Sequence, residues 1–226
     1  MSDLSLFHVA RPAALGANTD DARPPLLILL HGVGSNEQSM AALAPAFDPR
    51  FIVLSVRSPI VLGPGSFAWF HVTFGSQGPV IDAAEAEAGW SMLAQFIDEA
   101  VAAYDADPER VFVAGFSQGG IMSLAAMLTT PERVAGAVSM SGRLLPEVLP
   151  NAAELGRLAA KPVLIVHGTR DDKLGIQFAR SARETLETLG LDLTYRELPM
   201  GHQVTRESLD EVVSWLASRL DARVTT

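Results

Sequence analysis

Gly115-Phe116-Ser117-Gln118-Gly119 follows directly on the apolar run Val111-Phe112-Val113-Ala114. That run has the character of a buried parallel strand, and residues 120–128 read as a helix. A strand that turns sharply into a helix strains its turn residue and exposes the side chain at the end of the sheet. Glycine is needed at 115 and 119 because a Cβ at either position would collide with the neighbouring element. In this context Ser117 reads as a nucleophile rather than as a serine of an ordinary tight turn.

A nucleophilic serine needs a base, an acid and an oxyanion site, here in the chain order Ser, acid, His. Histidines stand at 8, 31, 71, 167 and 202. His202 alone lies beyond every acid that could serve downstream of Ser117. It occupies the loop Pro199-Met200-Gly201-His202-Gln203, between an expected strand at 193–198 and an expected C-terminal helix. The acid is expected just past the buried strand 162–167, in Gly168-Thr169-Arg170-Asp171-Asp172. A carboxylate there can accept the second ring N–H of His202 and fix its tautomer. Spacing favours neither Asp171 nor Asp172; the one not turned inward would cap the following helix or pair with Arg170 or Lys173.

Oxyanion donors are expected in the backbone N–H of Gln118 and of Val33. Val33 sits in His31-Gly32-Val33-Gly34, directly after the five aliphatic residues at 26–30. The flanking glycines let the backbone approach a substrate closely. His31 precedes Ser117, against the triad order, and is expected to order this loop rather than to take part in chemistry.

These motifs together resemble the phospholipase/carboxylesterase family of serine hydrolases, which includes the acyl-protein thioesterases. The resemblance rests on Gly-Phe-Ser-Gln-Gly-Gly at 115–120, Leu30-His31-Gly32-Val33-Gly34, Phe67-Ala68-Trp69-Phe70, His167-Gly168-x-x-Asp171 and Gly201-His202, and it spans about residues 24–220. It implies that Asp171 is the acid and that Val33 and Gln118 form the oxyanion hole. Members often carry an aliphatic residue and a proline shortly after the acid, where this chain has Asp172-Lys173-Leu174-Gly175.

The elements that must position these residues follow from the apolar pattern. Strands are expected near 5–9, 26–30, 51–56, 111–114, 135–140, 162–167 and 193–198. Trp90, Leu93, Ile97, Val101 and Tyr104 recur at three and four, one face of a long helix within 82–104. Leu209, Val212, Val213, Leu216 and Leu220 repeat the pattern near the end. Alternating strands and helices predict a mostly parallel sheet covered on both faces, with the first strand, beyond a turn-rich stretch at 16–25, free to pair antiparallel. The fold class is α/β: one α/β-hydrolase domain over 1–226, without a large cap domain.

Residues 58–80 fit no regular element, being broken by Pro59, Gly63, Pro64, Gly65, Gly75, Gly78 and Pro79. The segment nevertheless carries Phe67, Trp69, Phe70 and Phe74. So apolar a loop must be covered by the core or by a ligand. Trp69 and Phe70 are expected to line an acyl pocket, with Leu144 of Ser141-Gly142-Arg143-Leu144 forming the opposite wall. His71 is expected to be an ordinary loop residue.

Composition sets the limits. The 226 residues, 48% hydrophobic, suffice for a core that removes roughly 70–75% of the unfolded surface from water. A net charge of −9 with no basic stripe argues against nucleic acid and against anionic lipid surfaces. Without cysteine there is no thiol nucleophile, disulfide framework or cysteine metal site. No apolar run reaches the length of a membrane span, and no export signal is visible in Met-Ser-Asp-Leu-Ser, so a cytoplasmic location is the default.

The expected activity is hydrolysis of short- to medium-chain carboxylic esters through an acyl-enzyme, with thioesters and lysophospholipids within its reach. The expected ligand is a small-molecule ester, with no cofactor and no metal; a homodimer is compatible with the sequence. An acyl-protein thioesterase, or a peptidase or acyltransferase using the same triad, is the alternative. A binding protein that has lost catalysis would be expected to lack a triad member, and all three are present. Ser rather than Asp at the elbow argues against dehalogenase or epoxide hydrolase chemistry.

Overall fold

The computed structural model describes residues 4–14, 16, 22–75 and 78–221. Eleven strands form in chain order: β1 (His8–Arg11), β2 (Leu26–Leu30), β3 (Ile52–Val56), β4 (Ile60–Gly63), β5 (Ser66–Ala68), β6 (Val72–Gly75), β7 (Gly78–Ile81), β8 (Val111–Phe116), β9 (Gly136–Met140), β10 (Pro162–Gly168) and β11 (Asp192–Leu198). The helices are α1 (Glu37–Ala41), α2 (Ala83–Ala103), α3 (Gln118–Thr129), α4 (Leu155–Leu158), α5 (Ile176–Thr188) and α6 (Arg206–Asp221). Seven strands make the main sheet in the order β1-β3-β2-β8-β9-β10-β11. All pair in parallel except β1, which runs antiparallel to β3.

The seven strands expected from the sequence are these seven. The N-terminal one lies at His8–Arg11 rather than 5–9, and part of the turn-rich stretch at 16–25 lies outside the described residues. Every residue of β2 is buried because the strand is covered on both faces. Leu26, Ile28 and Leu30 face a core built with α2, α3 and α5, whereas Leu27 and Leu29 face a second core with α1 and α6. The long helix α2 starts where Asp82 accepts from the N–H groups of Ala84 and Glu85, and it buries Trp90, Leu93 and Ile97.

Residues 58–80 are not irregular. They form two small antiparallel hairpins, β4–β5 and β6–β7. The residues that break the pattern are the turn itself: Pro64 and Gly65 connect β4 to β5, with Gly65 at φ +68°. Gly75 pairs with Gly78 at the tip of the second hairpin, and residues 76–77 are outside the described chain.

The strand order reverses at β2, whose neighbours β3 and β8 both follow it in sequence. Open α/β sheets bind ligands at the carboxyl ends of strands beside such a reversal. The loop 31–34 and Ser117 meet there. The start of α3 lies so close to the sheet that a Cβ on Gly119 would overlap the Leu30 carbonyl oxygen, and one on Gly115 would overlap the Gly119 carbonyl. We therefore expect Gly119→Ala to destabilise the fold by about 3 kcal/mol or more, as strong overpacking against backbone does. A urea midpoint equal to that of the unsubstituted protein would show that the helix can shift without penalty.

Candidate active site

Ser117 is the residue between β8 and α3, with φ 55° and ψ −116°. Such a backbone costs on the order of 1–3 kcal/mol for a non-glycine residue, and it persists only where the surroundings impose it. Here the Ser117 N–H donates to the Met140 carbonyl at 2.8 Å, and the Ser117 carbonyl accepts from Ile121 at 3.1 Å. Oγ is thereby turned off the sheet end toward His202, whose Nε2 lies 2.9 Å away.

The second imidazole nitrogen of His202, Nδ1, lies 2.8 Å from Asp171 Oδ2. The other Asp171 oxygen accepts from the N–H groups of Lys173 and Leu174, at 3.0 and 2.8 Å. Its side chain is fully shielded from solvent. A buried carboxylate with both oxygens occupied is held as an acceptor, so Nδ1 of His202 carries the proton and Nε2 is left to face the serine. Asp172 is the aspartate turned outward, 75% exposed and paired with Lys173 at 3.7 Å. His202 also packs against the Phe116 ring at 5.0 Å between centroids.

Two further histidines hold the loops. His31 Nδ1–H donates to the Gly32 carbonyl at 2.8 Å, and its Nε2 accepts from the Ser58 N–H at 3.1 Å. His167 Nε2–H donates to the Leu174 carbonyl at 2.7 Å. Burial pushes the pKa of both rings below the ordinary histidine value. His71 is exposed and paired with Glu85.

A cavity of about 490 Å³ opens beside Ser117 and His202. Val33 and Gln118 both line it, and Gln118, first in α3, has an N–H that no earlier helical carbonyl can take. Its walls are mostly apolar: Met40, Leu43, Phe70, Val72, Ile81, Ile121 and Val204.

A model of the phospholipase/carboxylesterase family matches residues 16–220. The chain belongs to that family. Its members are serine hydrolases, and this one is 34% identical over 137 residues to acyl-protein thioesterase 1 of Gibberella zeae, a match covering 58% of this chain and 54% of the relative. It is 28% identical to carboxylesterase SOBER1 of Arabidopsis thaliana over 88% of this chain and 92% of that one. The crystal structure of esterase PE8 superposes with a TM-score of 0.81 at 26% identity, over 94% of this chain and 98% of that chain.

Two residues expected in the pocket of this phospholipase/carboxylesterase relative lie elsewhere. Trp69 is fully buried in the core and does not line the cavity. Gly89 of α2 leaves room for it: a Cβ there would come within 3.3 Å of the Trp69 carbonyl oxygen. Trp69 thus anchors the connection between the hairpins, and its neighbour Phe70 faces the cavity. Leu144 packs against the core, and the adjacent Arg143 lines the cavity in its place.

Beyond its backbone N–H, Gln118 has a structural role in its side chain that the sequence does not announce. Gln118 Oε1 accepts from the Trp69 N–H at 2.8 Å, while Nε2 donates to the Phe70 carbonyl at 2.6 Å. One buried amide therefore ties the residue after the serine to the wall carrying Phe70. Its proximity to Trp69 and Phe70, nearly fifty positions away, leaves no local signal in the chain. Gln118→Leu would leave two buried backbone groups unpaired, and we expect a loss of about 2 kcal/mol or more, with a lower kcat/KM on esters. Gln118→Glu keeps the acceptor but loses the donor and should fall between. Unchanged urea midpoints in both variants would show that water replaces the amide.

Proposed function

We propose that the protein hydrolyses carboxylic esters by acyl transfer through Ser117, with His202 as general base and acid and Asp171 orienting it. The observation that carries this reading is the continuous hydrogen-bonded series from Ser117 Oγ through His202 to Asp171, at 2.9 and 2.8 Å.

As Ser117 Oγ attacks the acyl carbon, its proton passes to His202 Nε2, and the imidazolium is stabilised by the Asp171 carboxylate. The tetrahedral oxyanion is held by the N–H groups of Val33 and Gln118, each contributing about 3–4 kcal/mol to lowering the barrier. Collapse expels the alcohol, which takes the proton from His202 and leaves an acyl-enzyme. Water then repeats the sequence in reverse and releases the acid. A thiol leaving group fits the same steps, and the likeness to an acyl-protein thioesterase makes thioesters the second class of substrate to examine.

The cavity supports short to medium acyl groups. It is mostly apolar, and Val72, Pro79 and Ile81 of the β6–β7 hairpin form part of its wall. Among the described residues no helix is long and apolar enough to cross a membrane, in keeping with action on dissolved esters.

A fluorophosphonate should label Ser117 and nothing else, and Ser117→Ala should keep the fold while losing labelling and turnover. In the same series Asp171→Asn should lower kcat by roughly three to four orders of magnitude through the wrong imidazole tautomer, with Asp172→Asn near the unsubstituted rate. Labelling at Ser141, or the opposite ranking of the aspartates, would move the assignment. On 4-nitrophenyl esters kcat/KM should climb about fourfold per methylene, or about 0.8 kcal/mol, until the cavity is full, leaving palmitate poor. Phe70→Ala should flatten that climb, and a profile still rising at palmitate would place the acyl chain outside this cavity.

A further inference from the structure

The cavity contains a charge that ester hydrolysis does not use. Arg143 follows β9 and lines the same space as Ser117 and His202. Its guanidinium lies 5.5 Å from the centre of the Phe178 ring, and one nitrogen approaches the Pro79 carbonyl at 3.5 Å. These are weak partners for a cation that is partly buried. Among the described residues no carboxylate forms an ion pair with it, and no Asp or Glu lines the cavity. Glu147 attracts it only from beyond ion-pair distance, and burial holds its pKa below the usual arginine value.

Lys173 also lines the cavity, but its side chain is 61% exposed and paired with Asp172. Two cations thus face a mostly apolar space without a carboxylate, in a chain whose net charge is −9. A guanidinium drawn out of water with its nearest carboxylate beyond ion-pair distance carries a desolvation cost that is only partly compensated. An anion entering the cavity removes that cost, and the planar fork of arginine suits a carboxylate in two-point contact.

We propose that the substrates are esters that also carry a carboxylate, bound by Arg143 while Ser117 attacks the ester carbonyl. This rests on the hydrolase reading and gives it a substrate class, of which monoesters of dicarboxylic acids are the simplest members. Arg143 is then a specificity residue. The single guanidinium, with one screened ammonium, matches one negative charge better than a phosphate dianion.

The test uses two pairs of esters that differ only in a terminal methyl or carboxylate. Methyl hexanoate against monomethyl adipate places the anion on the acyl half; pentyl acetate against 5-acetoxypentanoate places it on the alcohol half. The anionic member of at least one pair should have the higher kcat/KM by roughly tenfold or more, the scale of a hydrogen bond to a charged group, and added salt should erode the preference. Arg143→Gln should lower the anionic-to-neutral ratio at least tenfold, and Arg143→Lys should restore part of it. The ratio is the readout, because loss of a purely structural contact with the β6–β7 hairpin would lower both members alike. The four esters are also scored as competitors of fluorophosphonate labelling, so that a slow substrate still reports binding. Turnover of the neutral esters with no anionic preference in either pair, or a ratio untouched by Arg143→Gln, overturns this inference and leaves the hydrolase reading standing. Absence of both turnover and labelling at Ser117 overturns the two together.

Discussion

For Ser117 to stand at the sheet end, the first turn of α3 must pass in backbone contact with the ends of β2 and β8. Gly115 and Gly119 remove the two side chains that would prevent it. Gly32 extends the same constraint to the loop 31–34, since a Cβ there would lie 3.1 Å from Ser117 Cβ. Once the helix is seated, the strained φ of Ser117 is enforced from both sides by hydrogen bonds to Met140 and Ile121. The strain stays local because the elements that impose it are strands and a helix packed on both faces. The rest of the site is arranged around this one close approach.

Two buried histidines, both neutral, support the loops around Ser117 and Asp171. His31 joins the loop 31–34 to Ser58, two residues past β3, through one donated and one accepted hydrogen bond, which requires an uncharged ring. His167 links β10 to the loop carrying Asp171 through a single donated hydrogen bond. Burial disfavours the charged form of both rings. The only buried carboxylate in this group is Asp171, and its charge is answered by two backbone N–H groups and by His202. Arg143 and the more exposed Lys173 are the cations that line the cavity.

Much of this was legible in the chain. A strand buried on both faces leaves a continuous apolar run, so the five inner strands β3, β2, β8, β9 and β10 could be read one by one. The elbow glycines could be read because steric exclusion leaves no other residue at those positions. The hairpins could not: Pro64 and Gly65 break a pattern in the same way whether they end a strand or turn it, and only pairing between β4 and β5 distinguishes the two. Trp69 and Phe70 are equally apolar neighbours, and nothing in their types says which one enters the core. The room made by Gly89, on a helix twenty positions away, settles it.

The sequence by itself determined the order of elements, the serine at the strand–helix turn and the histidine that could reach it, because these depend on periodicity and on local backbone limits. It left the two aspartates equivalent by spacing, and gave no sign that the Gln118 amide clamps a distant loop or that Arg143 rather than Leu144 faces the cavity. Those were decided by tertiary structure. Each is a choice between adjacent or remote side chains of suitable chemistry. Burial, and the hydrogen-bond partners brought in by other strands, make one of them cheaper to place than the other.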